Sequence, residues 1–277
     1  MRQLLDQGRT LVMGIINVTP DSFSDGGDYA STERAVARGF DLIEQGADLI
    51  DIGGESTRPG AQRVDARGEL RRVVPVIREL ASGGAVISVD TMRAEVARAA
   101  VEAGAAVVND VSGGLGDPAM LPAVAELGVG YIAMHWRGQS DVMHNLAHYD
   151  DVVADVRSEL SDRLDAALDA GIELDQIVLD PGLGFAKTTE HNWTLLAGLD
   201  QLASLGRPLL IGASRKRFLG DLLDGRTAKE RDDATLALTV LLAERGVWAV
   251  RTHTVRAQRD AIAVVGRLAA EGARTVE

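Results

Sequence analysis

The chain's 277 residues are 46% hydrophobic and 25% charged, with seven prolines and a mean hydropathy of +0.02, a composition that builds a large core and excludes disordered, collagen-like and low-complexity chains. The 41 acidic against 29 basic side chains leave a formal charge of −12, which disfavours nucleic acid or an anionic membrane as partner and requires a local basic cluster for any anionic ligand. With no cysteine, disulfides, thiolate nucleophiles and cysteine-bound metal centres are excluded, in keeping with a cytoplasmic setting.

The amino terminus offers only Leu4 and Leu5 before Asp6, so no signal peptide is expected. A recurring pattern follows: a helical stretch, a glycine, then a short apolar run that ends in polar or charged residues. The first run is 11–18. A helix expected over 32–45, opened by Ser31 with Glu33 and Arg34, ends at Gly46 before the run 49–54. A helix over 66–82 precedes Gly84 and the run 85–90, and one over 92–103 precedes Gly104 and 107–112. Asp117 and Pro118 read as N-cap and first-turn proline of a helix over 118–127, followed by Gly128 and the run 130–135. Helices over 150–170, 190–205 and 231–245, with Gly171, Gly206 and Gly246, lead to runs at 177–182, 208–213 and 248–253, and a last helix covers 255–271. The longest mostly apolar stretches, 11–18 and 234–243, fall short of the ~20 residues of a bilayer span.

Glycine suits the left-handed residue that closes a helix, and runs without alternation suit parallel strands buried on both faces. Eight such alternations predict one domain over 1–277, a (β/α)8 TIM barrel with its active site at the C-terminal ends of the strands. An open doubly wound sheet is the alternative, since periodicity does not reveal closure.

Chemistry gathers at those strand ends. They carry Asn17 and Asp21, Glu55 to Arg58, Asp90, Asn109 and Asp110, His135 and Arg137, Asp180 and Lys187, Ser214 to Arg217, and Arg251 with His253. The cations Arg58, Lys187, Lys216, Arg251 and His253 suit a phosphate or pyrophosphate, and Asp90, Asn109 and Asp180 suit a planar heterocycle with donors and acceptors. Plainer readings stand beside these: Asp90 as a helix cap, Arg215 to Arg217 as a solvated face, His135 as a satisfied core histidine, and Trp136, Trp193 and Trp248 as packing residues. The segments 19–27 and 53–60 read as glycine-flanked lids, and neither matches a P-loop or a dinucleotide fingerprint.

In these residues the chain resembles the dihydropteroate synthase family over nearly its full length. The resemblance is carried by 13–27 (MGIINVTPDSFSDGG), 54–60 (GESTRPG), 88–91 (SVDT), 109–113 (NDVSG), 180–187 (DPGLGFAK), 212–216 (GASRK) and 251–253 (RTH). It implies condensation of 6-hydroxymethyl-7,8-dihydropterin pyrophosphate with p-aminobenzoate, by SN1-like substitution, in a folate pathway that sulfonamides inhibit. It also implies a pterin site of Asp90, Asn109, Val111, Met134, Asp180, Phe185, Gly212, Lys216 and Arg251, with Arg251 stacked on the ring. A p-aminobenzoate site would comprise Phe23, Thr57, Arg58, Pro59, Phe185, Lys216 and Arg217. Pyrophosphate would meet Asn17, Arg58, Arg251 and His253, with Mg2+ as cofactor at Asn17; the catalytic group would be Asp90, Lys216, Arg251 and Asp25, the last orienting the amine.

Arg217 stands where many of the family carry serine, and Thr254 where aspartate is frequent. A homodimer through outer helices, including 231–245, is further implied. The competing functions are a pterin-binding methyltransferase on the same barrel, which needs neither lids nor a pyrophosphate set, and a catalytically inactive pterin-binding paralogue, which would be expected to lose Asn17, Asp90, Lys216 or His253.

Overall fold

The computed structural model describes residues 1–5, 7–19, 27–55, 64–139 and 143–274. All eight expected runs form strands: β1 (Leu11–Asn17), β2 (Leu49–Gly53), β3 (Ile87–Asp90), β4 (Val107–Asp110), β5 (Gly130–Met134), β6 (Ile177–Asp180), β7 (Leu210–Ile211) and β8 (Ala249–Thr252). They pair in parallel in the order β6-β5-β4-β3-β2-β1-β8-β7. Leu179 bridges Leu209, and its N–H reaches the Pro208 carbonyl at 3.0 Å, which joins β6 to β7 and makes a barrel rather than an open sheet. The seven glycines that precede the second to eighth runs all lie at positive φ, from 66° at Gly128 to 114° at Gly104, where a side chain would strain the turn from helix to strand.

The helices are α1 (Arg2–Leu5), α2 (Gly27–Glu44), α3 (Ala66–Ser82), α4 (Ala94–Glu102), α5 (Met120–Leu127), α6 (Val152–Asp169), α7 (Thr189–Ala197), α8 (Leu199–Ala203), α9 (Arg217–Leu222), α10 (Asp232–Glu244) and α11 (Val255–Arg274). Three local expectations are corrected. Ser31 lies inside α2 rather than at its start. Asp117 does not cap α5, which begins at Met120; its carboxylate instead accepts from Ala119 N (2.9 Å) and from Ala94 N at the start of α4 (2.8 Å), so it serves the neighbouring helix. The single helix expected over 190–205 is two, broken at Gly198, where a Cβ would fall 2.8 Å from the Val153 side chain. Neither α1 nor α9 was anticipated; at four and six residues they are too short to show a helical period.

The uninterrupted apolar runs hide an alternation that the barrel makes visible. Val12, Ile50, Val108, Tyr131, Ile177 and Val250 face outward into the shell packed by the helices. Leu11, Met13, Leu49, Val107, Ile132, Val178, Leu210 and Ala249 face inward and form a floor, to which Trp248 adds its ring. Below that floor α1 seals the barrel: Met1, Leu4 and Leu5 pack against it, and Trp248 Nε1 donates to the Leu4 carbonyl at 3.0 Å.

Candidate active site

A strand repeats every two residues, so the next inward position above each floor residue can be read directly. Above Leu49 stands Asp51, above Val107 Asn109, above Ile132 Met134, above Val178 Asp180, above Leu210 Gly212 and above Ala249 Arg251. On β3 the same face carries Ser88 and Asp90, and on β1 it ends in Asn17. The polar ring is therefore set by backbone pleat, one layer above an apolar floor.

Arg251 organises the ring. Its Nε donates to Asp51 at 2.6 Å and its Nη2 to Asp90 at 2.8 Å, while Asn109 Nδ2 donates to the same Asp51 oxygen at 3.1 Å. Asp51 is fully buried, and its Oδ1, like the Ser88 hydroxyl, has no hydrogen-bond partner among the described residues. Asp90 is not a helix cap: α4 is preceded by Arg93, which makes no side-chain cap, and the Asp90 carboxylate turns to Arg251. Burial raises Asp90 to about 7, opposed by Arg251 and reinforced by Asp51. Asp180 is raised in the same sense by burial, against a hydrogen bond from Gly182 N at 2.7 Å and the nearby Lys216.

Met134 and Val111 pack with Met92, Trp136 and Phe185 into an apolar patch beside these groups, so three of the residues expected to line a ring lie together. Lys216 Nζ stands 4.2 Å from the Phe185 ring centroid, a cation-π contact, and desolvation lowers it to about 8 against the pull of Asp180. Gly184 makes room for it: at φ 78°, a Cβ there would press on Lys216 Cδ at 3.0 Å. Gly212 lies beside Arg251, and Asn17 is half-buried at the end of β1. His253 Nδ1 pairs with the Ser214 hydroxyl at 3.0 Å, and its carbonyl accepts from Arg38 at 3.0 Å.

One cation is engaged otherwise than expected. Lys187, grouped with the anion-binding set, is buried and its Nζ is spent on His135 Nδ1 (2.9 Å) and the Phe185 carbonyl (3.0 Å). His135 is the satisfied core histidine of the plainer reading, 2.9 Å from Glu159 on its other nitrogen; burial and Lys187 depress it to about 4. Arg217 is 85% exposed and lies 3.8 Å from Asp221. Phe23, Asp25, Thr57, Arg58 and Pro59 lie outside the described residues. The residue that sequence reasoning missed is Asp51, and its signal was a carboxylate in the middle of an otherwise apolar strand, Leu49 to Gly53, where an unpaired charge is expensive.

A family profile described as pterin binding enzyme matches residues 13–253. The dihydropteroate synthase of Mycobacterium leprae is 52% identical over 261 residues, 92% of each chain. The chain belongs to the pterin-binding enzyme family, in its dihydropteroate synthase branch. Among solved structures, the dihydropteroate synthase of Xanthomonas albilineans with 4-aminobenzoic acid is 49% identical with a TM-score of 0.89, covering 96% of this chain and 94% of its own. The same enzyme in complex with 7,8-dihydropteroate gives 46% identity and a TM-score of 0.86, covering 96% and 95%.

Proposed function

We infer that the chain catalyses dihydropteroate synthesis, joining 6-hydroxymethyl-7,8-dihydropterin pyrophosphate to p-aminobenzoate with release of pyrophosphate. The observation that carries this reading is the convergence of Asp90, Asn109, Asp180, Lys216 and Arg251 above a sealed apolar floor, in a chain whose relatives are dihydropteroate synthases. A pterin carries an amide edge and a flat ring face. Asn109 and Asp180 present an amide and a carboxylate to such an edge, while Met134, Val111 and Phe185 offer an apolar wall. Arg251, held between Asp51 and Asp90, would stack on the ring.

The bond that breaks joins the pterin methylene to a pyrophosphate oxygen, which keeps the electron pair. Positive charge then spreads into the ring, where Asp90, held by Arg251 in a water-poor site, stabilises it. The amine lone pair of p-aminobenzoate forms the new C–N bond, and its surplus proton leaves to solvent or pyrophosphate, so no strong base is required. Arg251 and His253 are assigned to the departing pyrophosphate together with Arg58, and Phe185, Lys216 and Arg217 to p-aminobenzoate with Phe23, Thr57 and Pro59; Asp25 would orient the amine.

Among the described residues no group of three His, Asp or Glu side chains is placed to hold a metal. Asn17, a hard amide oxygen donor half-buried at the strand end, fits Mg2+, whose remaining ligands would be water and substrate phosphate oxygens. When bound, the ion would neutralise charge on the leaving group. A homodimer through α10 and α11, which expose Leu241, Val264 and Leu268, is proposed with it. No helix among the described residues is long and apolar enough to cross a membrane; a cytoplasmic location is part of the proposal, supported by a sequence without cysteine.

The test is pyrophosphate release by the purified protein with Mg2+ and both substrates, each omitted in turn. Release that needs every component, with equimolar dihydropteroate, is the expected result; saturable pterin binding without product would overturn the activity in favour of a binding-only protein. The pH dependence follows from the buried charges. Asp90 must be ionised and Lys216 protonated, so kcat/KM falls below about pH 7 as Asp90 gains a proton and above about pH 8 as Lys216 loses one. A profile flat from about pH 5 to about pH 10 would remove both groups from the rate-determining charge balance.

A further inference from the structure

Between β7 and α9 the chain passes through Arg215 at a φ of 60°, a left-handed conformation disfavoured for a residue with a long side chain. Glycine would adopt it without strain, so φ alone does not explain an arginine there. The explanation lies in its bonds to α10. Arg215 Nε and Nη2 each donate to one oxygen of Asp232 at 2.7 Å, and its backbone N–H donates to Thr235 Oγ1 at 3.3 Å. Its carbonyl accepts from Arg231 Nη1 at 3.1 Å. Arg231 in turn crosses α9 at Gly220, where a Cβ would come within 2.5 Å of its Nε, and that Nε holds the Arg226 carbonyl at 2.7 Å. The strained residue is thus clamped from outside the barrel by side chain and backbone together.

The next residue turns inward. Lys216 has φ −62° and ψ 153° and sends its ammonium to the face of Phe185, with Asp180 on β6, Asp90 on β3, Arg251 on β8 and the buried Lys187 as the charged groups around it. A peptide plane rotated at residue 215 would swing that ammonium away from all of them, and a displacement near 1 Å is enough to cost catalysis. We propose that Arg215 is a positioning residue, and that its pairing with Asp232 holds the strained turn that aims Lys216 into the site. The inference rests on the reading of Lys216 as a substrate-binding group.

The experiment compares the full chain with Arg215→Gly, the exchanged pair Arg215→Asp with Asp232→Arg, and Lys216→Met, following kcat, both KM values, kcat/KM against pH and the melting temperature. Glycine tolerates the turn and keeps the backbone bonds to Thr235 and Arg231 but lacks the side-chain pairing with Asp232, and aspartate is among the residues that tolerate left-handed φ. Arg215→Gly should remain folded, lose kcat at least tenfold, and move the alkaline limb upward from about pH 8 as Lys216 leaves its desolvated position. The exchanged pair should recover part of both changes. Unchanged kcat and an unchanged limb in Arg215→Gly, with Lys216→Met inactive, would overturn the positioning role alone. A loss of kcat with the limb unmoved and no recovery in the exchanged pair would reduce the clamp to a structural tie and also overturn it. Full activity in Lys216→Met would overturn the reading of Lys216, and this inference with it.

Discussion

Asp90→Asn will lower kcat by about 10²–10³-fold while the melting temperature stays close to that of the parent chain. Asparagine keeps the shape of the side chain and an oxygen to accept from Arg251 Nη2, the contact that Asp90 makes at 2.8 Å. The packing of β3 between β2 and β4 is therefore retained. What is lost is negative charge in a buried place, where a fixed carboxylate stabilises a developing ring cation far better than water would. KM values should change less than kcat, because the effect is felt where charge develops. A kcat within threefold of the parent would show that Asp90 does not stabilise the transition state.

Arg251→Met should damage both stability and turnover. Arg251 is the cation between two buried carboxylates, Asp51 at 2.6 Å and Asp90 at 2.8 Å, and withdrawing one partner from a buried ion cluster costs about 3–5 kcal/mol. Part of that cost is escaped when Asp90, already raised toward 7 by burial, takes up a proton. The sign then follows: the loss in urea unfolding free energy is largest above neutral pH and shrinks as pH falls through the Asp90 range. Activity should drop together with the stability, since the ring cradle and the leaving-group contact go at once. Lysine will not rescue it, because one ammonium cannot reproduce a planar fork that reaches two carboxylates. Equal unfolding free energies for parent and variant at pH 8 would show that Asp90 is not charged against Arg251.

Much of this was legible in the residues themselves. The order of strands, their ends and the closing glycines could be read because each depends on local chemistry: β-branched runs, and a residue that must accept positive φ. The polar ring was legible for the same reason, as Asp90, Asn109, Asp180 and Arg251 interrupt apolar runs at their C-terminal ends. What failed depended on partners distant in sequence. Asp117 looked like a cap for its own helix but serves α4, 23 residues back. Lys187 looked like one more free cation, and only the fold brings it against His135, 52 residues away. Asp51 was passed over because its partner Arg251 lies 200 residues on. Arg215 read as part of a basic triplet, and neither its φ nor its hold on Asp232 has a signature in the order of residues.

The short amino-terminal helix under the barrel has a kinetic consequence. With Trp248 tied to Leu4 and the floor filled by Leu11, Met13, Ile132 and Val178, the amino-terminal end of the barrel is closed among the described residues and the polar layer is approached from the strand ends. A ring seated on the deep polar layer must enter before anything that covers it, and the joined product must withdraw along the line by which the ring arrived. On the proposed reaction the ring substrate would bind first, and p-aminobenzoate in excess would slow turnover by standing in the doorway.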